Sequence, residues 1–333
     1  MLSHKVLIFT LFVSYLSFAQ PGGQGVTQND IQLNTITTAL PFLGINPDSR
    51  SGAMGDAGTA LSANSSSIMW NTAMLNFTES KGELGVSYTP WLRQLTNDMH
   101  LSYLSGYTRV GTKHVIGGAL RYFSLGEITF TDGAGNYIRE FKPNEFELTL
   151  AYSFKLAEKH SIGVNGKFAL SNLTGGLVTA GTETKSAIAG IADISYAFRT
   201  EDIDWFKVPG IYSFGVVIAN VGNKVAYSAN ARRDFLPTTL RIGNAYTAKI
   251  DKYNKLTVSL DVSKLLVPTP PVYANVDGQT TLISGKSTDV GVIAGMIQSF
   301  YDAPGRVIED DNGDPIANGD GTFQVKKGSK FGE

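Results

Sequence analysis

The chain has no cysteine. That removes disulfides, thiolate metal sites and a cysteine nucleophile at once. It is also poor in charge: Asp, Glu, Lys and Arg make up 17% of it, against the roughly 25% usual for soluble domains. The formal net charge is −1, which leaves no basic field for a nucleic acid. Neither GxSxG, HExxH, a Walker loop nor GxGxxG occurs, so no nucleophile elbow, zinc helix or phosphate cradle is expected. The histidines are His4, His100, His114 and His160, without metal-ligand spacing. No catalytic, cofactor-binding or metal-ligating residue is expected. The segment Glu309–Gly321 has the look of a calcium loop but lacks the ordered ligands and terminal glutamate of an EF-hand, so it reads as a turn-rich surface loop.

Only the N-terminus carries a long apolar run. Lys5 precedes an apolar stretch from Val6 to about Phe18, followed by Ala19. This is the layout of a secretory signal peptide over 1–19, and the run is short for a membrane anchor. An exported chain with no later membrane helix can enter a bilayer only as a β-barrel.

What is abundant is alternation. In "EFELTLAYSF", Phe146, Leu148, Leu150, Tyr152 and Phe154 share one parity, and Glu147, Thr149, Ala151 and Ser153 the other. Period two over about ten residues is the length of a tilted membrane strand. Strands are expected at about 83–91, 98–110, 114–124, 145–155, 160–171, 186–199, 210–220, 236–249 and 255–264. The apolar rows are read as Met99, Leu101, Tyr103 and Tyr107; Ile116, Leu120 and Tyr122; Ile162, Val164 and Phe168; Ile194, Tyr196 and Phe198; Tyr212, Phe214, Val216 and Ile218; Leu240 and Ile242; and Leu256, Val258, Leu260 and Val262.

A soluble sandwich also alternates, and three features set it aside. Connections 111–113, 156–159 and 250–254 are tight and 200–209 moderate, whereas 125–144, 172–185, 221–235 and the region after 264 are long. Short turns at one end and long loops at the other mark an outer-membrane barrel. Aromatic residues gather at the short-turn end: Tyr107, Tyr152, Phe154, Tyr196, Phe198, Tyr212, Phe214 and Tyr246, as a girdle would. Arg121, Glu147, Lys167, Asp193, Arg241 and Asp261 all keep to the polar parity; a cation on the lipid side would cost about 2–4 kcal/mol at mid-bilayer.

The expected class is therefore all-β, a transmembrane antiparallel β-barrel. Its parts are a signal peptide (1–19), an N-terminal periplasmic or plug segment (20–81), barrel strands (82–264) and a long extracellular loop region (265–333). Nine strands are an odd number, and an unpaired edge in lipid is costly. Either the count is off by one or closing strands lie beyond Glu333, and the second is preferred. "LDVSKLLVPTPP", Leu260–Pro271, reads as the outer end of a wall strand stopped by Pro268, Pro270 and Pro271.

"RSGAMGDAGTA" (Arg50–Ala60) and "WNTAML" (Trp70–Leu75) resemble the N-terminal hatch of the PorV/PorQ family of FadL-like outer-membrane proteins. "ANVGNKVAY", "FLPTTLRIG", "LDVSKLLVPTPP" and "IQSFYDAPG" are similar to that family too, in order, from about Thr38 to Gly305. Where the family has Asn-Pro-Ala, this chain has Asn71, Thr72 and Ala73. The resemblance implies a FadL-like barrel of about 14 strands, with Asn71 and Ala73 in the plug. It implies a non-enzymatic outer-membrane component of the type IX secretion system, bound in lipid. Such a component binds the C-terminal signal domains of secreted cargo beside the large translocon barrel and passes them to the surface attachment (sortase) complex. Leu265, Leu266, Val267, Pro268, Phe300 and Tyr301, read as exposed apolar residues of the outer loops, are the candidate partner anchors. The alternative is a FadL-type transporter of hydrophobic small molecules.

Overall fold

The computed structural model describes residues 35–176, 178–179, 182–205, 208–229, 231–276, 279–308, 315–318 and 322–326. The signal-peptide segment lies outside the described residues, as does most of the calcium-loop look-alike.

Nine strands form one antiparallel sheet in strict sequence order. They are β1 Gly82–Pro90, β2 Met99–Val110, β3 His114–Leu125, β4 Asn144–Ala157, β5 His160–Asn172, β6 Ala187–Trp205, β7 Val208–Gly222, β8 Thr239–Lys249 and β9 Lys255–Leu265. Among the described residues each of the nine pairs only with its neighbours in this order, and β1 does not pair with β9. Among the described residues, no helix is long and apolar enough to cross a membrane.

Burial alternates along the strands. On β4, Glu145, Glu147, Thr149, Ala151 and Ser153 are buried, while Leu148, Leu150 and Tyr152 are exposed. The polar parity is thus the inner face and the apolar parity the outer, the inverse of a water-soluble sheet. Leu84, Val86, Leu150, Ile194, Leu260 and Val262 are each more than 60% exposed, a density of bare aliphatic surface that a soluble fold avoids.

One row departs from expectation. Leu101, Tyr103 and Tyr107 are buried on the inner face of β2, and Leu104 is the exposed residue. Tyr107 is therefore not in the girdle; its hydroxyl meets Ser80 and Glu83. The remaining girdle residues lie on the outer parity at the short-turn end. There His114 Nδ1 lies 2.8 Å from the Tyr152 hydroxyl and His160 Nδ1 2.7 Å from that of Tyr196. The same histidines pack on Phe154 and Phe198.

The connection over 200–209 is also different. Strands β6 and β7 continue to Trp205 and Val208, with a register shift between Thr200 and Ile203, so this hairpin is tight rather than moderate. A bulge past Thr200 lets the ladder run on. The long connections carry small hairpins: Ile128–Thr131 with Tyr137–Phe141, and Val178–Thr179 with Thr182–Glu183. Beyond β9 come the hairpin Val272–Val276 with Gln279–Ser284, a short helix, and the pair Arg306–Val307 with Val325–Lys326.

Candidate functional site

Residues 36–81 run along the inner face of the sheet from the long-loop end to the short-turn end, where β1 starts. At the top, Ala39 donates to the Phe235 carbonyl of the 223–238 connection, 2.8 Å away. Leu40, Phe42 and Leu43 pack against Leu101, Phe123, Ala189 and Leu236. Two short helices follow, α1 Ser49–Ala53 and α2 Ser67–Trp70. Asp48 caps the first, accepting from the amides of Arg50 and Ser51. Lower down, Ile68, Met69, Trp70 and Leu75 meet Tyr103, Tyr107, Val115, Ala119 and Ala151. This apolar stretch of the N-terminal segment explains why β2 turns its large residues inward.

Asn71 and Ala73 sit at the centre, both buried. Asn71 Nδ2 donates to the carbonyls of Thr59 (2.9 Å) and Tyr196 (3.2 Å). Its Oδ1 accepts from Ala73 N at 3.1 Å, closing a turn without proline. Thr72 takes the proline's place and donates its hydroxyl to Asn165 Oδ1 at 2.6 Å, a bond no proline could make. Ala73 N also donates to Ser195 Oγ, and Asn76 Nδ2 to Ser153 Oγ and Ser161 Oγ. The approach needs a glycine: a Cβ on Gly163 would lie 2.5 Å from Ala73 N and 2.8 Å from Thr72 C.

Four of the inner charges are held in two pairs. Arg121 Nη2 donates to Glu147 Oε2 at 2.5 Å, and its Nη1 donates to the Phe42 and Ile45 carbonyls, both at 3.0 Å. Lys167 Nζ donates to Asp193 Oδ2 at 2.7 Å and to Asn220 Oδ1 at 3.1 Å. Asp193 also accepts from Asn165 Nδ2 and from the Asn220 amide. Asn220 has φ 61°, a left-handed conformation asparagine tolerates, and it forms a bulge opposite Asp193. The Arg241 guanidinium lies over the Trp70 ring, 5.0 Å from its centroid.

The N-terminal segment also touches both end strands of the sheet. Thr59 N donates to Asp261 of β9 at 2.8 Å, and Ser65 donates through N and Oγ to Glu83 of β1. Below it, a cavity of about 440 Å³ remains at the short-turn end, lined among others by Phe77, Ser80, Tyr107, Arg199 and Lys255. Among the described residues no group of three or more His, Asp or Glu is placed to hold a metal ion.

The long-loop end is a second region of interest. Asp98 accepts from the Glu127 amide at 2.7 Å and from the Thr96 hydroxyl, tying the short connection between β1 and β2 to the long one after β3. The Thr96 hydroxyl, then the Glu127 amide, hold its carboxyl below the usual aspartate range. Arg139 lies between Phe130 and Phe141 and donates to the carbonyls of Thr174 and Gly175. Lys224 stands 4.0 Å from the Phe235 ring centre, and burial lowers its pKa.

Of the expected partner anchors, Leu266, Val267 and Pro268 are buried, and Leu265 is half-buried. Leu266 N donates to the Thr238 carbonyl, and Thr269 is held by Asp302. These residues fold the outer segment back onto the 223–238 connection instead of standing free. An apolar run beside prolines gave no sign of which loop would cover it. Phe300 and Tyr301 are exposed, at 56% and 59%. Reading the sequence missed Thr59, Trp70 and Asn220. Only the interrupted alternation at "ANVGN" pointed toward Asn220.

The family model described as "Type IX secretion system protein PorV" matches residues 27–272 of the chain. No curated protein matches it.

Proposed function

Because the chain belongs to the PorV family of type IX secretion system proteins, we propose that it is an outer-membrane barrel protein that receives secreted cargo. In this reading the outer parity of the strands faces lipid and the long connections face outward from the cell. Cargo docks there by its C-terminal signal domain, beside the translocon barrel, and passes to the surface attachment complex. The signal peptide over 1–19 directs export, and residues 265–333 belong to the outer surface. Family membership carries this reading. The braced loop end supports it, since Asp98 and Arg139 hold the connections in one arrangement and preorganised loops lose less entropy on binding.

Contact with cargo or translocon falls to apolar residues exposed on those loops. Leu95, Tyr137 and Ile138 are 83%, 63% and 51% exposed. Leu266, Val267 and Pro268 act indirectly, by shaping the loop surface.

A filled lumen counts against transport of hydrophobic small molecules. Plug side chains occupy its middle, and Thr59, Asn71, Thr72, Ala73 and Asn76 are hydrogen-bonded to wall or plug. The cavity left below them is lined by hydroxyls and charges. The test is purification of the tagged protein from its native membrane in mild detergent. Co-purification of C-terminal signal domains and of a large barrel protein is expected. Their absence, together with normal secretion in a deletion strain, contradicts the proposal.

A further inference from the structure

The helix α3, Val292–Gln298, and the turn after it are built inside out. Gly295, Gln298, Ser299 and Asp302 form the buried face. Gly295 packs close to Phe235 and Pro268. Gln298 Nε2 donates to the Ser287 carbonyl and to Asp302, which in turn holds Thr269. The opposite face carries Ile293, Ile297, Phe300 and Tyr301, with exposures of 61%, 59%, 56% and 59%. Ile293 and Ile297 lie one turn apart on the helix, and the turn that continues it carries Phe300 and Tyr301. Small and polar residues inside with large apolar residues outside is the pattern of the wall strands, not that of a surface helix in water.

This face adjoins the wall's outer row. Leu256, Val258, Leu260 and Val262 of β9 are exposed on one parity, and Lys264 is next on it. The Lys264 ammonium lies 5.2 Å from the Phe300 ring centre, so ring and cation meet where the strand leaves the wall. Lys286 stands likewise 4.1 Å from the Tyr301 ring centre. Aromatic rings with lysines beside them, above a band of aliphatic residues, suit the boundary between acyl chains and anionic headgroups.

We infer that the Ile293, Ile297, Phe300 and Tyr301 face of α3 and the turn after it rests in the outer-leaflet boundary of the bilayer, with Lys264 and Lys286 directed to lipid phosphates. This rests on the barrel reading and adds to it: the outer segment is anchored to lipid beside β9, which leaves the other long connections for partners. An interfacial helix face of this kind needs no protein occupant, because lipid covers its apolar area.

The test uses the full chain in liposomes containing anionic lipid and lipids spin-labelled near the headgroup or along the chain. A fluorophore is placed in turn at Ile297→Cys, at Leu260→Cys on the wall, and at Ala134→Cys on a loop tip. The expected result is quenching at Ile297 comparable with that at Leu260, strongest from the shallow spin label, with none at Ala134. Quenching at Leu260 without quenching at Ile297 overturns the inference and leaves the barrel standing. No quenching at either position overturns both. A photocrosslinker at Ile297 that joins another protein in cells, in place of lipid, also overturns it.

Discussion

Asp193→Asn removes one charge from the inner face at almost no change in volume. In the native protein Asp193 and Lys167 are 2.7 Å apart, with side chains 4% and 2% exposed. The asparagine keeps an oxygen for the Asn220 amide and nearly the same packing, while its NH2 replaces the oxygen that accepts from Lys167 and Asn165, so the charge and those two bonds are what is lost. It leaves the Lys167 ammonium buried with only neutral partners. Breaking a buried pair this way costs about 3–5 kcal/mol, whereas removing both charges with apolar replacement is often close to neutral. The double variant Asp193→Asn/Lys167→Met is therefore expected to recover most of what the single variant loses. The assay is reversible unfolding in guanidinium, from detergent or lipid, with both singles and the double in one cycle. A single-variant loss under about 1 kcal/mol, or a double no more stable than the Asp193 single, refutes the claim that these charges are a buried, mutually dependent pair.

Gly163→Ala drives a methyl against Ala73 N and Thr72 C; overpacking of this kind costs about 1–3 kcal/mol, and protease should then cut the 36–81 segment faster while β-sheet content stays unchanged. Asn71→Ala removes the bonds to the Thr59 and Tyr196 carbonyls and to Ala73 N; a loss of about 1–3 kcal/mol is expected, read by the same protease assay. Asp98 has a depressed carboxyl pKa, so its hold on the Glu127 amide is complete above the ordinary aspartate value and is lost as pH falls through the lower folded value; hydrogen exchange at Glu127 should accelerate over that acidic window, and Asp98→Asn should remove the acid dependence. Leu95→Glu with Tyr137→Glu leaves the wall intact and should reduce recovery of C-terminal signal domains in the co-purification; unchanged recovery places cargo contact elsewhere.

Alternation made the strands legible because a wall with one polar and one apolar face repeats a single physical requirement nine times. Phe146 to Phe154 needed no structural knowledge to be assigned to faces. It failed on β2, where Leu101, Tyr103 and Tyr107 are as apolar as any outer row. Their partners, Phe42, Ile68 and Trp70, lie far away in sequence, so nothing local marks this row as inner. The charges at Arg121, Glu147, Lys167 and Asp193 were placed on the correct face because a cation in lipid is so costly. Their pairing was not legible, since Lys167 meets Asp193 through strand register and Asn220 through a bulge. The folding back of this segment was likewise hidden, because Leu266 meets Thr238 and Thr269 meets Asp302, residues contributed by two other segments.

The central claim is that the wall's inner parity is sealed by the plug and its outer parity meets lipid. Spin labels at successive positions from Glu145 to Phe154, in a reconstituted bilayer, test it most directly. Oxygen access should rise at Phe146, Leu148, Leu150, Tyr152 and Phe154 and fall at Glu145, Glu147, Thr149, Ala151 and Ser153, with a water-soluble nickel chelate excluded from the outer series. Nickel access at the outer positions equal to that of an exposed loop, or no period of two, contradicts it.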